Sequence, residues 1–70
     1  MKITYDKTAD AMYIYFNKGR VSKTVQMKDS IVVDLDKKGK LVGIEILDVS
    51  SQIPERQIKS SIKTGIPVLV

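Results

Sequence analysis

The acidic residues between positions 34 and 45 have the spacing closest to a known chemical motif. Asp34, Asp36 and Gly39, with Glu45 six residues beyond the glycine, match four positions of a calcium-binding loop. Lys38 occupies the fifth position, where the ion needs a ligand oxygen, and the flanking runs are typical of strands, whereas the motif requires helices. The segment is therefore predicted to be a hairpin turn, and the sequence predicts no metal and no cofactor.

A pair of carboxylates for general acid and base catalysis is the second possibility. A hydrolase of this kind needs two acids held in one cleft with pKa values pushed apart. The candidates are Asp6, Asp10, Asp34, Glu45 and Asp48. Asp6, Asp10 and Asp48 are typical of turns and helix starts. Glu45 lies among apolar residues. It is therefore predicted to lie at the sheet margin, to pair with a lysine, or to form part of a site.

Three tyrosines form the third group. Tyr13 and Tyr15 are two residues apart and share one face of a predicted strand, and Tyr5 on the partner strand is expected to join them. Such a surface is a platform on which single-stranded bases stack. The alternative is a sheet face that packs on a helix or a second subunit. Packing is favoured because arginine and glycine are sparse near these tyrosines.

The composition excludes several chemistries. The 70 residues include no cysteine and no histidine, which excludes disulfides, thiolate zinc sites and cysteine or histidine catalysis. The net charge is +4, from 12 basic and 8 acidic residues. The basic residues are spread along the sequence, which is typical of solvated surfaces, and nucleic-acid contact is the alternative. No run is long enough for a signal peptide or a membrane span, so a cytoplasmic protein is expected.

The elements that must position these side chains are mainly strands. The predicted fold class is α+β, an antiparallel β-meander of about four to five strands with one short C-terminal helix and an apolar tail. A turn from Asp36 to Gly39 predicts the pairs 35/41, 33/43 and 31/45. With this register both faces of strands 31–36 and 41–48 are apolar, so each face needs a covering layer.

The C-terminal segment is predicted to supply one such layer. Ser50 or Ser51 is expected to cap a short helix, and the helix is expected to stop at Gly65. Residues 66–70 form an apolar tail, predicted to pair as a strand or to dock on a second subunit. The candidate interface residues are Tyr13, Tyr15, Ile58, Ile62, Ile66, Val68, Leu69 and Val70.

One set of residues, read in order, carries a family resemblance. It comprises Tyr5, Asp6, Ala9, Asp10, Tyr13, Asp36, Gly39, Gly43, Glu45, Asp48 and Ser50. Over about residues 2–50 the sequence resembles the prokaryotic family called domain of unknown function 2283. The resemblance implies a compact β-rich domain with a C-terminal helix, in which these residues are structural, with no established activity, no agreed catalytic residues and no cofactor. Because some relatives are encoded beside small toxin-like proteins, it also implies an antitoxin role.

These observations favour binding over catalysis. The chain is expected to be one small domain, 1–70, with a family-like core over about 2–50 and the helix and tail over about 51–70. We expect a non-enzymatic protein-interaction module that acts as a homo-oligomer, with a dimer favoured, or with a small protein partner in an antitoxin-like manner. The alternatives are a sheet-based nucleic-acid-binding protein and a small carboxylate-dependent hydrolase.

Overall fold

Five antiparallel strands form one sheet, and a single α-helix packs against one of its faces. The computed structural model describes residues 2–64, without the side chains of 61, 63 and 64. The strands are β1 (Lys2–Asp6), β2 (Ala11–Tyr15), β3 (Lys23–Lys28), β4 (Ile31–Leu35) and β5 (Leu41–Ile46). A 3-10 turn over Val49–Ser51 leads to helix α1 (Glu55–Thr64). The α+β class is confirmed, and the predicted tail lies outside the described residues.

The order of the strands differs from the predicted meander. The sheet runs β1-β2-β5-β4-β3, so β2 pairs with β5 and the chain crosses to the far edge before β3 begins. The prediction of a meander was wrong because β5, with the buried Val42 and Ile46, occupies a central position between β2 and β4. The polar strand β3 is an edge strand, and its lysines deter edge-to-edge pairing.

The crossing segment, residues 16–22, is tied to the end of the sheet. The backbone N–H groups of Phe16 and Asn17 donate to the Val42 carbonyl at 2.8 and 3.3 Å, and the Asn17 side-chain amide donates to the Leu41 carbonyl. Ser22 N–H donates to the Leu35 carbonyl at 2.8 Å. Seven extended residues span about 23 Å, enough to pass the ends of β5 and β4 at about 4.8 Å per strand.

The β4–β5 hairpin has the predicted turn and a different register. Gly39 has φ 80°, and the Asp36 N–H donates to the Lys40 carbonyl at 2.9 Å. The pair 35/41 is confirmed. The pairs 33/43 and 31/45 were wrong, because an irregularity after Asp34 shifts the register by one residue. Val33 therefore faces Ile44, and Ile31 faces Ile46.

This shift makes the two faces of the sheet unlike each other, so the prediction of two apolar faces was wrong. The helix-bearing face contains apolar residues from every strand, since Ile31 and Val33 now lie beside Ile46 and Ile44. The opposite face, here called the tyrosine face, contains Tyr13, Tyr15, Val32, Asp34 and Glu45. Tyr5 pairs with Met12 and lies on the helix-bearing face, so it does not join the other tyrosines.

The core lies between α1 and the strands β1, β2 and β5. Its buried members are Ile3, Met12, Ile14, Ile46, Val49, Ile53 and Ile58. The serines do not cap α1 as predicted: they lie in the 3-10 turn, and the Pro54 carbonyl accepts the first helical hydrogen bonds, from Gln57 and Ile58. In the described part of the chain no helix is long and apolar enough to cross a membrane.

The helix covers one side of its face only. It packs on β1, at one edge of the sheet, while the other edge is formed by β3 and β4. Four side chains of the helix-bearing face on these two strands, Val25, Ile31, Val33 and Leu35, are half-buried. We call this surface the open half.

Candidate functional site

Three family-motif residues from separate segments meet in one hydrogen-bonded cluster. The Tyr5 hydroxyl on β1 donates to Asp10 Oδ1 at 2.7 Å. The Ser50 hydroxyl in the 3-10 turn donates to Asp10 Oδ2 at 2.7 Å, and its N–H donates to the same carboxylate at 3.1 Å. Asp10 thus ties the β1–β2 turn to the segment that precedes α1.

The geometry of Asp10 explains why an acid stands there. Its φ is 52°, a left-handed conformation that Asp tolerates better than most residues, and its own carbonyl accepts the Val49 N–H at 3.1 Å. The hydrogen bonds from Tyr5 and then Ser50 lower the pKa of Asp10. A carboxylate stabilised as an anion by three donors is a poor general base, so this cluster is structural.

A second cluster spans four strands on the tyrosine face. The Tyr13 ring extends from β2 over Gly43 of β5, and its hydroxyl donates to Asp34 Oδ2 on β4. Thr24 on β3 donates to the other oxygen, Asp34 Oδ1, at 2.7 Å. A Cβ at position 43 would lie 2.6 Å from Tyr13 Cζ, so only glycine leaves room for the ring. The motif residues Tyr13 and Gly43 thus connect β2, β5, β4 and β3.

The tyrosines of both clusters have raised pKa values. Burial and the hydrogen bond to Asp34 raise the pKa of Tyr13 above its ordinary 10.0. The hydrogen bond to Asp10 raises the pKa of Tyr5. Both hydroxyls are therefore protonated donors at neutral pH, and neither is prepared to act as a nucleophile or base.

The raised pKa of Tyr13 predicts that the folded state loses stability at alkaline pH. Unfolded tyrosine loses its proton near pH 10, while folded Tyr13 retains it, so the free energy of unfolding falls as the pH rises above about 10. Urea unfolding at about pH 9 and pH 11 measures the fall, and Tyr13→Phe is expected to make it smaller. An equal fall in the variant would contradict the assignment to Tyr13.

Two of the remaining acids of the motif, Asp6 and Asp36, shape turns. Asp6 accepts the N–H groups of Thr8 and Ala9, at 3.0 and 3.2 Å. Asp36 accepts those of Lys38 and Lys40, at 2.8 and 2.9 Å. The turn roles predicted for Asp6 and Asp36 are confirmed.

Asp48 and Glu45 occupy different surroundings. Asp48 has φ 53° at the start of the 3-10 turn, and its carboxylate accepts the Ser51 hydroxyl at 2.8 Å. Glu45 is half-buried on the tyrosine face, opposite Tyr13 and Val32. The one ion pair among the described side chains joins Lys59 and Glu55, so the predicted pairing of Glu45 with a lysine is not present there.

The calcium-like spacing does not assemble a site within the described residues. Asp34 and Asp36 are engaged by different donors, one on the tyrosine face and one inside the turn. Across residues 2–64 no group of three or more acids lies close enough to hold a metal ion.

The predicted interface residues have different positions. Tyr15 is 42% exposed beside Tyr13, with the ring centroids 4.4 Å apart. Ile58 is 3% exposed in the core of the chain itself, whereas Ile62 is 41% exposed on α1. Of the two helix residues predicted to contact a partner, Ile62 is therefore the accessible one. Positions Ile66, Val68, Leu69 and Val70 lie outside the described residues.

Thr24 was not singled out from the sequence, and Asp34 was considered only as a metal ligand or a catalytic acid. The roles of Thr24 and Asp34 depend on the strand order. Their strands, β3 and β4, lie near Tyr13 only because β2 pairs with β5 and β5 pairs with β4. The one available signal was an acid within an apolar strand, Asp34 in the run Ile31–Leu35. An acid in such a strand needs a donor on the neighbouring strands.

The fold and its two clusters define a small α+β domain with a five-stranded antiparallel sheet. Residues 2–50 match the model of a family described as protein of unknown function DUF2283. The chain belongs to this family, as the resemblance implied. It is 40% identical over 50 residues to an uncharacterised protein of Methanocaldococcus jannaschii. This match covers 71% of the chain and 42% of the relative, so the chain spans less than half of that protein's length. No solved structure matches.

Proposed function

We propose that the chain is a non-enzymatic protein-interaction module that pairs with a second copy of itself in the cytoplasm. The observation that supports the pairing is the open half. Val25, Ile31, Val33 and Leu35 form a contiguous apolar patch on two adjacent strands, and each remains half-buried. Burying the rest of this patch against the same patch of a second copy stabilises both chains.

The edge beside the open half supports the same proposal. Val21, two residues before β3, is 49% exposed, and Met27, within β3, is 63% exposed. Exposed apolar residues grouped at one side of a small domain mark an interaction surface more often than scattered ones do. The lysines at positions 23 and 28 oppose direct pairing of two β3 edges, and they border the open half, where they pair with Leu35 and Ile31.

The clusters at Asp10 and Asp34 support a binding module over a hydrolase. Both carboxylates are occupied by hydroxyl and backbone donors, and the hydroxyls of Tyr5 and Tyr13 have raised pKa values. A small partner protein in an antitoxin-like complex is the alternative occupant of the open half. It would give a complex of unequal chains.

A matched pair of lysine substitutions on β4 tests the pairing. Val33→Lys introduces a charge in the open half, whereas Val32→Lys introduces the same charge one residue earlier on the tyrosine face, opposite Glu45. For the wild type and Val32→Lys, the unfolding midpoint is expected to rise with protein concentration, because association stabilises only folded chains. For Val33→Lys, this dependence is expected to disappear.

Circular dichroism confirms that each variant is folded before the comparison. Val25→Lys, on the edge strand, replaces Val33→Lys if the latter does not fold. A wild-type midpoint that is independent of concentration would contradict the proposal, and so would a dependence that both face variants retain.

A further inference from the structure

The fold collects positive charge that is dispersed in the sequence. β1, β3 and β5 begin at the end of the sheet where β2 and β4 finish, since Lys2 pairs with Tyr15 and Lys23 pairs with Leu35. The β2–β3 crossing and the β4–β5 turn lie at this same end. Seven of the 12 basic residues are therefore found there, namely Lys2, Lys18, Arg20, Lys23, Lys37, Lys38 and Lys40. We call this surface the basic end.

The acids near the basic end offset only part of its charge, because seven cations lie beside the two carboxylates of Asp34 and Asp36. The Asp36 carboxylate accepts backbone N–H groups of its own turn, and the Asp34 carboxylate accepts the hydroxyls of Tyr13 and Thr24. The one ion pair among the described side chains lies on α1, between Lys59 and Glu55. A surface with this excess of cations attracts a polyanion.

Two open clefts run side by side across the basic end and share Gly19. One, of about 580 Å³, is lined by Lys2, Lys18, Tyr15 and Phe16. The other, of about 600 Å³, is lined by Arg20, Lys37, Lys38 and Lys40. Their adjacency suits an extended ligand with repeated negative charges.

Two aromatic rings distinguish this surface from a plain cluster of lysines. Tyr15 is 42% exposed and Phe16 is 41% exposed, and the Lys2 ammonium lies 5.8 Å from the centre of the Tyr15 ring. Exposed rings next to cations are the means by which proteins hold unpaired bases and their phosphates together. An acidic peptide has the charge but no bases to stack, and a duplex keeps its bases stacked internally.

We propose that the basic end binds single-stranded nucleic acid, with phosphates at the lysines of the second cleft and bases against Tyr15 and Phe16. The basic end adjoins the open half at Lys23, which pairs with Leu35, whereas Lys37, Lys38 and Phe16 lie outside the open half. The tyrosine platform predicted from the sequence is replaced by Tyr15 and Phe16, since Tyr5 lies on the other face and the Tyr13 hydroxyl is held by Asp34.

A matched pair of double variants tests the proposal. Lys37→Gln/Lys38→Gln removes two charges from the basic end. Lys7→Gln/Lys28→Gln removes two exposed charges from the opposite end of the sheet, so both variants have the same net charge. Fluorescence anisotropy with a labelled oligothymidylate of about twelve nucleotides at about 50 mM salt measures the affinity. We expect at least a roughly fivefold loss for the first variant and less than a twofold loss for the second.

Two further measurements separate stacking from charge. For three to five phosphate contacts, the logarithm of the binding constant is expected to fall with the logarithm of salt with a slope of about −2 to −3.5. Phe16→Ala is expected to weaken oligothymidylate about fivefold or more and to leave the weaker binding of duplex DNA or polyglutamate unchanged. No binding at low salt, equal losses in the two lysine variants, or duplex and polyglutamate binding as tight as the single strand would overturn the proposal.

Discussion

Gly43→Ala is expected to lower the free energy of unfolding by about 2–4 kcal/mol, although alanine is normally tolerated in a strand. The new Cβ would lie 2.5 Å from the Tyr13 hydroxyl oxygen and 2.6 Å from Cζ of the same ring. The ring must then leave the surface of β5, which breaks its hydrogen bond to Asp34. Urea unfolding followed by circular dichroism measures the loss.

A double-mutant cycle isolates the cause of this loss. Tyr13→Leu removes the ring atoms that the new Cβ would meet while retaining an apolar side chain. In that background Gly43→Ala is expected to be neutral or slightly stabilising, because alanine loses less conformational entropy on folding than glycine does. An equal cost of Gly43→Ala in both backgrounds would show that the glycine serves some purpose other than making room for Tyr13.

Met12→Ala is expected to lower the free energy of unfolding by about 2–5 kcal/mol. Met12 is 1% exposed and lies at the centre of the core, paired with Tyr5 of β1 and Ile46 of β5. A domain of this size has a total stability of roughly 3–10 kcal/mol, so the substitution removes a large part of it. The variant is expected to be substantially unfolded near its working temperature, which thermal unfolding measures.

Met27→Ala is the matched control for this experiment. Met27 is 63% exposed at the edge strand, so the same change there removes little buried surface. The expected effect on a folded single chain is below about 0.5 kcal/mol. A similar loss at both positions would contradict the placement of the core under α1.

The local elements were accessible from the sequence, whereas their arrangement was not. The sequence predicted about four to five strands and one short C-terminal helix, and the described residues form five strands and α1. The strand order depends on which strands bury most apolar surface together, and the crossing through Phe16–Ser22 has no local signature. The irregularity after Asp34 likewise has no local signature. Because of it, each residue of β5 from Gly43 onwards lies on the face opposite to the predicted one.

The same dependence on strand arrangement explains which contacts of the candidate site the sequence did not predict. Asp6 and Asp36 act within a few residues of themselves, so their turn roles followed from the sequence. The contacts of Asp10 with Ser50 and of Tyr13 with Asp34 join residues 40 and 21 positions apart. The basic end is invisible in the sequence, because it draws lysines from four separate segments.

The chain has a structural part and two candidate interaction surfaces. The family-motif residues that the structure brings together at Asp10 and Asp34 hold turns and strands in place. The open half and the basic end are formed largely by residues outside that motif, such as Val33 and Lys37.

The mass of the wild-type chain in solution tests the proposed pairing most directly. Sedimentation equilibrium at micromolar concentration is expected to give twice the 7.8 kDa of one chain, and Val33→Lys is expected to give the mass of a single chain. A wild-type mass of one chain throughout that concentration range would contradict pairing through the open half.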